Sequence, residues 1–253
     1  RISVLLGRGC PFECTYCCIH ALKKTASGSY VRLRSPDNIL AEIKSLIASF
    51  PEKEELYLEV ESFGINKEWA IELCSCLERF NTTLDRPLSF GVNVRVVPHA
   101  DFEGLFAALE KANFKWINIG LESGSETVRQ AMLNRNYSNQ DFINTVNLAR
   151  KHKLRVLFFN MVGFPGETLA DFKETVQINR ICLPDDHFTG IFYPYPGNRI
   201  YEWCKEHGLC VHNLNTGMER REAFLDLPGF TKKQITKSYQ WFDFNVYRGH
   251  KPM

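Results

Sequence analysis

Four of the nine cysteines lie close together in the segment GRGCPFECTYCC. Cys10, Cys14 and Cys17 have the spacing C-x3-C-x2-C, and Cys18 follows directly. Three thiolates on one short loop can bind three irons of a 4Fe-4S cluster, which leaves the fourth iron open to another ligand. Iron–sulfur ligation is therefore the first chemistry that the sequence predicts.

A structural zinc site is the alternative use of these cysteines. Such a site has four ligands, usually supplied by two pairs of Cys or His residues. His20 follows Cys17 closely, but no second pair stands at a suitable distance. The spacing therefore favours a cluster over zinc. Cys18 could replace Cys17 as a ligand, but we expect it to pack behind the loop, because neighbouring side chains point apart.

The cysteine loop follows the first of six apolar segments that alternate with helical patterns. Strands are predicted at 2–6, 55–60, 88–94, 115–121, 155–162 and 188–195. Helices are predicted at 35–50, 67–80, 101–112, 138–152, 169–181 and 199–207, with a short helical turn from Ser125. Strands that alternate with helices in this way run parallel and are joined by crossover helices.

Six strand–helix units are two fewer than a complete eight-unit barrel contains. The sequence therefore predicts an α/β fold, a partial (β/α)6 barrel of the TIM type with parallel strands, or else a doubly wound sheet. Residues 1–208 would form the core barrel. Residues 209–253 would form a C-terminal extension of loop and helix, with the helix at about 231–247. In such barrels the functional groups lie where strands end and loops begin.

Polar residues occur on these predicted strands and at their ends. Tyr57, Glu59 and Glu61 share one face of the second strand, and buried carboxylates there need a partner, for which Arg95 is one candidate. After the fifth strand, the glycines of GFPGET could bring the backbone close to a ligand. The alternative there is a plain turn with Thr168 as the helix N-cap.

The cysteine loop resembles the signature of the radical S-adenosylmethionine enzymes, C-x3-C-x-aromatic-C, with Tyr16 as the aromatic residue. Three later segments also resemble one broad subgroup of that family: 118–138, 161–175 and 192–209. Asn198 stands where the subgroup pattern has Thr. The resemblance covers nearly all of residues 1–207 and implies a partial barrel that carries a 4Fe-4S cluster on Cys10, Cys14 and Cys17.

The resemblance also implies an activity. The amino and carboxylate groups of S-adenosylmethionine would chelate the open iron. One electron from a reductant such as flavodoxin or ferredoxin would then cleave the sulfonium to a 5'-deoxyadenosyl radical, or the cofactor would donate a methyl group. The substrate would be a small molecule.

The same resemblance assigns cofactor-binding roles to residues at the strand ends. They are Tyr16, Glu61, Glu122, Ser123, Arg135, Gly163 and Tyr193. Glu61, or Glu59 beside it, would bind the ammonium group, although the usual Gly-Gly-Glu is absent. Arg135 would bind the methionine carboxylate, for which a guanidinium is well suited; otherwise it is a surface charge.

Glu122 ends the fourth strand, and Ser123 follows it. The resemblance makes Glu122 a contact to ribose or methionine, so that it and Arg135 would hold opposite ends of S-adenosylmethionine. Gly163 would lie where the backbone packs on adenine, and Tyr193 would form a wall of the adenine or substrate site.

Together these segments most resemble the radical domain of cobalamin-binding enzymes, which carry their cobalamin domain upstream. The predicted protein is therefore a cobalamin-dependent methyltransferase-like enzyme whose cobalamin is bound by a domain absent from this chain. A methylthiotransferase is the main alternative, but its N-terminal cluster domain and C-terminal RNA-binding domain are not visible. Coproporphyrinogen dehydrogenases have C-x3-C-x2-C-x-C, which this chain lacks. A non-catalytic iron–sulfur or zinc module is an alternative of another class.

One motif conflicts with that assignment. Asp185, His187 and Gly190 spell D-x-H-x-x-G, the motif of the lower cobalamin ligand. In cobalamin domains this motif follows the first strand of a separate domain, whereas here it opens the sixth predicted strand. We expect that His187 does not bind cobalamin and that its ring lies against the helix after the fifth strand or is exposed.

The composition of the chain bears on nucleic-acid binding, membrane insertion and localisation. The 253 residues carry 31 Lys and Arg against 29 Asp and Glu, so no nucleic-acid signature is present. No apolar stretch is long enough to span a membrane. The odd number of cysteines and the lack of a secretory pattern argue against disulfides and predict a cytoplasmic protein. Because the chain begins at Arg1 without Met, we expect a piece of a longer protein.

Overall fold

A computed structural model describes residues 2–209 and 216–250. The strands are β1 (Ile2–Leu5), β2 (Gly7–Arg8), β3 (Arg32–Leu33), β4 (Glu55–Phe63), β5 (Ser89–Val94), β6 (Phe114–Glu122), β7 (Arg155–Val162) and β8 (Asp186–Ile191). The helices are α1 (Ile19–Lys23), α2 (Pro36–Ser49), α3 (Lys67–Asn81), α4 (Glu103–Lys111), α5 (Glu126–Ala131), α6 (Asn139–Lys151), α7 (Leu169–Cys182), α8 (Arg199–Glu206), α9 (Lys232–Gln240) and α10 (Phe242–Tyr247). Residues 210–215 and 251–253 of the predicted extension, including Cys210, lie outside the described residues.

The main sheet has six strands in the order β1-β4-β5-β6-β7-β8. The pairs β1–β4, β4–β5 and β5–β6 are parallel, with Val4 opposite Leu58 and Val92 opposite Ile117. A helix stands between each later strand and the next, as parallel pairing requires. A doubly wound sheet has a strand order that reverses. The strictly sequential order therefore excludes that alternative.

The chain forms two compact units, and β6 and β7 pass from one into the other. The first contains residues up to Pro11, Ala26–Ile119 and Asn144–Leu157. The second contains Phe12–Thr25, Gly120–Ile143 and the residues from Phe158 onward. The predicted domain boundary at residue 208 stays a prediction.

In the first unit, β4 separates an apolar face from a polar one. Leu56 and Leu58 are fully buried. On the other face the Tyr57 hydroxyl donates to Oδ1 of Asn93 at 2.6 Å, and Nδ2 of Asn118 donates to both, at 3.2 and 3.0 Å. Alternation along the strand explains both faces. This unit therefore carries a hydrogen-bonded polar cluster on three adjacent strands.

In the second unit, the C-terminal helices share a core with α7. The Phe172 ring lies 5.9 Å from that of Phe230 and 6.1 Å from that of Phe242. Arg180, near the end of α7, donates to the carbonyl oxygen of Asn245 at 2.9 Å and so satisfies an end of α10. These contacts fasten α9 and α10 to the helix that follows the GFPGET segment.

Helix starts agree with the capping signals in the sequence. Ser35 accepts from the backbone N–H of Asn38 at 3.3 Å, as predicted for the N-cap of α2. Thr168 and Asp171 form a reciprocal capping box at the start of α7. The predicted helices at 35–50, 67–80 and 169–181 are thus confirmed within one residue at each end.

Other boundaries were predicted wrongly. The helix predicted at 231–247 is two helices, which break at Trp241, because its backbone leaves the helical region with φ −103° and ψ 14°. The sixth strand ends at Ile191 rather than 195, since Pro194 and Pro196 lack the N–H donors that pairing needs. The short elements α1, β2 and β3 carry no strong periodicity and were missed.

A glycine on β5 provides a test of this packing. An added Cβ on Gly91 would lie 1.8 Å from a ring atom of Trp116, which is almost fully buried and cannot move aside. Gly91→Ala should lower the free energy of unfolding by about 1–3 kcal/mol or more, the usual effect of overpacking.

Gly104 in α4 is the matched control, because its added Cβ meets no atom closer than 3.7 Å. Gly104→Ala should raise stability by about 0.5–1 kcal/mol, since alanine favours helices. Urea unfolding of the three proteins measures both effects. Equal effects of the two substitutions would contradict the packing of β5 against Trp116.

Candidate functional site

Gly9, one residue before Cys10, connects the cysteine loop to β4. Its φ is +91°, and an added Cβ would lie 2.2 Å from the carbonyl oxygen of Tyr30, so only glycine fits. Its backbone N–H donates to Oε1 of Glu61 at 3.1 Å. The other carboxylate oxygen of Glu61, Oε2, is buried and has no hydrogen-bond partner among the described residues. Glu61 therefore keeps one acceptor unused.

Arg95 and Glu59 are the other charged residues predicted for this region. The ion pair of Glu61 with Arg95, the alternative role for this carboxylate, stays a prediction. Glu59, on the same face of β4, is exposed.

The second half of the cysteine loop forms a tight turn. The backbone N–H of Cys17 donates to the carbonyl oxygen of Cys14 at 3.1 Å. Cys14 is buried, whereas Cys10 and Cys17 are partly buried. Cys18 is exposed, contrary to the expectation that it packs behind the loop, because it serves as the N-cap of α1.

Two remote segments hold this turn by its backbone. The N–H of Thr15 donates to the carbonyl of Leu133 at 3.3 Å, and the N–H of Ile200 donates to the carbonyl of Thr15 at 3.1 Å. Asn198 is fully buried, caps α8, and donates through Nδ2 to the carbonyl of Tyr16 at 2.9 Å. The asparagine that departs from the family pattern thus fixes the cysteine loop, a role that sequence reasoning missed.

Arg135 is the central charge of the site. Its side chain is 3% exposed, and Nη1 donates to Oε1 of Glu122 at 2.5 Å and to the Tyr16 hydroxyl at 3.1 Å. Burial by itself would lower the pKa of Arg135, but Tyr137, Tyr16, Glu122 and Cys14 raise this pKa well above its ordinary value. Its Nε is buried without a partner among the described residues. The surface-charge interpretation of Arg135 is therefore wrong.

The partner of Arg135 has a constrained backbone. Glu122 ends β6 with φ +62°, a left-handed conformation that is uncommon for a residue with a side chain. An added Cβ on Gly120 would lie 2.1 Å from Oε1 of Glu122 and 2.9 Å from Nη1 of Arg135, so this glycine makes room for the ion pair. Glu122 and Arg135 therefore act as neighbours in this structure, not as separated groups at opposite ends of a site.

Ser123 is fully buried, and its polar groups are occupied internally. Its carbonyl accepts from Nη1 of the buried Arg129 at 2.6 Å, and its hydroxyl accepts from the N–H of Ser125 at 3.2 Å. These bonds shape the connection from β6 to α5. In the described contacts, Ser123 stabilises this connection.

The segment after β7 is stabilised by a buried carboxyl group. Oε2 of Glu167 accepts from the backbone N–H groups of Gly163 at 2.5 Å and Phe164 at 3.1 Å. Glu167 is fully buried, and burial raises its pKa to about 8. Gly163 has φ +87°, and the Phe164 ring lies 6.1 Å from the Tyr16 ring. The sequence analysis identified the glycines but missed Glu167. Its position three residues after Phe164, within reach of the turn's backbone N–H groups, was the feature that could have indicated this role.

A cavity of about 480 Å³ lies in the second unit. Its walls are predominantly apolar and include Cys17, Glu122 and Tyr193, three residues singled out from the sequence. The other lining residues are Tyr16, Cys18, Phe159, Asn160, Met161, Phe188, Ile191, Phe192, Tyr195 and Arg220. A concave apolar site with a few convergent polar groups is the usual form of a small-molecule site.

His187 lies apart from that cavity. Its Nδ1 is 3.1 Å from the Thr189 hydroxyl, its Nε2 is 3.0 Å from Oδ1 of Asp243, and its ring stacks on Tyr247. The ring packs on α10 and is largely buried, so the expected exposure is wrong, whereas the expected contact with the helix after the fifth strand stays a prediction. With both ring nitrogens engaged, His187 is a structural contact between β8 and the extension.

The donor set of the cysteine loop fits a cluster better than a single ion. Among the side chains that the structure describes, which do not include His20, no group of three or more Cys, His, Asp or Glu is arranged to hold one metal ion. The cysteine ligands of a cubane bind different irons and lie farther apart than the ligands of one ion. Three thiolates with the C-x3-C-x2-C spacing therefore fit a 4Fe-4S cluster, and the zinc alternative loses support.

None of the helices in the described residues is both long enough and apolar enough to cross a bilayer.

The Radical SAM superfamily sequence model matches residues 4–178. The chain belongs to the radical S-adenosylmethionine superfamily, whose members use a 4Fe-4S cluster and S-adenosylmethionine, so the family and cofactor predictions are confirmed.

Curated relatives narrow the comparison. An uncharacterised methyltransferase of Pyrococcus horikoshii is 25% identical over 92% of this chain and 48% of its own length. A tRNA-2-methylthio-N(6)-dimethylallyladenosine synthase of Clostridium botulinum (strain Okra) is 30% identical over 76% of this chain and 42% of its own. The chain thus spans less than half the length of these curated relatives.

Solved structures support the predicted fold class, an α/β partial (β/α)6 barrel. The radical S-adenosylmethionine methyltransferase TsrM from Kitasatospora setae, solved with cobalamin and a [4Fe-4S] cluster, aligns with a TM-score of 0.69 at 19% identity, over 81% of this chain and 39% of that one. Coproporphyrinogen III oxidase from Escherichia coli aligns with a TM-score of 0.61 at 14% identity, over 97% and 52%. At these identities the likeness shows the fold alone.

Glu167 gives the site a measurable pH dependence. Its pKa is raised from 4.5 in the unfolded chain to about 8, so the folded state binds the proton more tightly. Stability should therefore fall as pH rises between about 4.5 and 8, by up to about 1.4 kcal/mol per pH unit from this group, and change no further above it.

Glu167→Gln keeps an acceptor for the two N–H groups and cannot ionise. Urea unfolding across this pH range should show that the variant loses less stability than the wild-type protein as pH rises. Parallel stability curves for the two proteins would mean that Glu167 is ionised throughout.

Proposed function

We propose that this chain is the catalytic core of an enzyme that binds a 4Fe-4S cluster and S-adenosylmethionine and cleaves the latter reductively to start radical chemistry. The observation that carries the proposal is the hydrogen bond from the buried Arg135 to Tyr16, in the loop of Cys14 and Cys17. This hydrogen bond connects the guanidinium of Arg135, whose Nε has no partner among the described residues, to the segment that carries the cysteine thiols. The superfamily membership supports the same assignment.

In this proposal Cys10, Cys14 and Cys17 hold the cluster. When bound, the cluster supplies the electron that breaks the sulfonium bond of S-adenosylmethionine. Gly9 gives the backbone the sharp conformation before Cys10, and the turn from Cys14 to Cys17 sets the two later thiols. Asn198 fixes the backbone of that turn from outside.

Two buried polar atoms, one in the first unit and one in the second, each suit a charged group of S-adenosylmethionine. The buried Oε2 of Glu61 fits an ammonium group, since a buried carboxylate oxygen without a donor is costly. The buried Nε of Arg135 fits a carboxylate, because Glu122 occupies only Nη1. Glu122 would then orient the guanidinium of Arg135 and would not itself contact the opposite end of S-adenosylmethionine. The backbone of Gly163 would pack on the adenine, and Tyr193 would form part of the cavity wall.

The reaction of the whole protein is proposed as methyl transfer to a small molecule, assisted by cobalamin that a domain absent from this chain binds. The methyltransferase relative and the fold of TsrM support this choice. Flavodoxin or ferredoxin would supply electrons, as in a cytoplasmic enzyme. The tRNA methylthiotransferase relatives favour a second candidate, methylthio transfer to a tRNA base. Dependence of turnover on added cobalamin distinguishes the two.

Cluster ligation is tested by removing each thiol. Cys10→Ala, Cys14→Ala and Cys17→Ala should each abolish the iron–sulfur absorbance after anaerobic reconstitution, because each thiolate would bind its own iron. Cys18→Ala is the matched control from the same loop and should retain the absorbance. A complete cluster in Cys14→Ala would overturn the ligand assignment.

Arg135 is tested by binding of S-adenosylmethionine. Arg135→Ala should lose roughly 1.5–3 kcal/mol of binding free energy, the range for a hydrogen bond to a charged group. Arg135→Lys keeps the charge but lacks the planar fork and should recover only part of the loss.

Calorimetry on reconstituted protein measures the affinity, and circular dichroism checks that each variant folds. Arg221→Ala, a substitution at an exposed arginine, should not change it. Unchanged affinity in a folded Arg135→Ala protein would separate this residue from the ligand.

A further inference from the structure

Arg220 belongs to the C-terminal extension but lies against the end of the sheet. Its carbonyl oxygen accepts from the backbone N–H of Ile191, the last residue of β8, at 2.8 Å. Its φ is +61°, a left-handed conformation that is uncommon for a residue with a side chain. The extension therefore places this residue at the wall of the 480 Å³ cavity.

The Arg220 side chain is braced on one edge. Nε donates to the Tyr195 hydroxyl at 3.2 Å and lies 3.4 Å from Oε1 of Glu219, which also contacts that hydroxyl. The guanidinium lies over the Tyr195 ring, 5.9 Å from its centre. Among the described residues, the two terminal nitrogens, Nη1 and Nη2, have no partner. They form a planar pair of donors that suits a carboxylate or phosphate.

The charges of the cavity wall are few. Among the described lining residues Arg220 is the one cation, and the one carboxylate, Glu122, already pairs with Arg135. Phe159 and Phe188 also line the cavity, with ring centres 6.4 Å apart and large exposed fractions of 38% and 49%. Exposed aromatic rings that line a concave site provide flat apolar surface for a ligand.

We propose that the substrate of this enzyme is an anionic molecule with a flat apolar body, and that Arg220 is its specificity-determining residue. The carboxylate or phosphate of the substrate binds Nη1 and Nη2, and its apolar body lies against Phe159 and Phe188. The inference rests on the proposed function, because it assigns the part of the cavity near Cys17 and Glu122 to S-adenosylmethionine. Glu219, beside Arg220, weakens the anion site and so limits affinity for singly charged ligands.

Matched probes can test this without knowledge of the natural substrate. 2-Naphthoate and 2-naphthamide share a ring system and differ in charge, and 2-naphthyl phosphate distinguishes a carboxylate site from a phosphate site. Binding would be measured by calorimetry on the reconstituted protein, with saturating S-adenosylmethionine present. We expect one of the two anions to bind about tenfold more tightly than the amide, the effect of a charged hydrogen bond at a partly exposed arginine.

The variants carry opposite expectations. Arg220→Gln should abolish the preference for the anion and leave binding of the amide unchanged. Glu219→Gln should strengthen anion binding, because it removes a competing negative charge. Arg221→Gln, at the adjacent exposed arginine that does not line the cavity, is the matched control and should behave as wild type.

Three outcomes would overturn the inference. Equal affinity for anion and amide removes the anion site, and an unchanged preference in Arg220→Gln removes Arg220 from it. Competition between the anion and S-adenosylmethionine, together with weaker S-adenosylmethionine binding in Arg220→Gln, assigns Arg220 to the cofactor. Failure of the wild-type protein to bind S-adenosylmethionine contradicts the proposed function instead, since anion binding through Arg220 is measurable without it.

Discussion

The buried guanidinium of Arg135 is the interaction on which the site depends. A charge in this position is costly unless it is paired and hydrogen-bonded. Glu122 supplies the countercharge from the end of β6, and Tyr16 supplies a hydroxyl from the cysteine loop. To satisfy one buried charge, the chain must therefore bring the end of a strand and the cysteine loop together, and Gly120 must remain without a side chain.

Other buried polar side chains of the site hold the backbone of its loops in one conformation. Asn198 uses its amide to hold Tyr16, and Glu167 uses one carboxylate oxygen to hold Gly163 and Phe164. Each is a buried side chain that satisfies backbone groups of a loop. The backbone groups of loops at strand ends have few hydrogen-bond partners from regular secondary structure. A buried polar side chain can satisfy these groups and so hold the loop rigid.

The extension contributes to the site through packing and through one charged residue. Its helices share the aromatic core around Phe172, and His187 joins β8 to Asp243 of α10. The D-x-H-x-x-G sequence is thus explained by a contact within the fold. Arg220 is the point at which the extension reaches the cavity wall.

The sequence by itself determined the chemistry and the class of fold. The spacing of Cys10, Cys14 and Cys17 indicates a cluster because ligands on one loop are local in the chain. The alternation of strands and helices indicates parallel α/β architecture for the same reason, and the capping residues at Ser35 and Thr168 located helix starts. These features depend on residues only a few positions apart.

Only the tertiary structure decided which polar groups are paired and which remain available. Arg135 and Glu122 are brought into contact by the strand end and the helix between them, and Asn198 meets Tyr16 from 182 positions away. Glu167 reads in sequence as an ordinary acidic residue, and Arg220 as one of several surface arginines. The burial of Arg135, Asn198 and Glu167, and the contact of Arg220 with Tyr195 from 25 positions away, are decided by tertiary packing and therefore leave no local pattern.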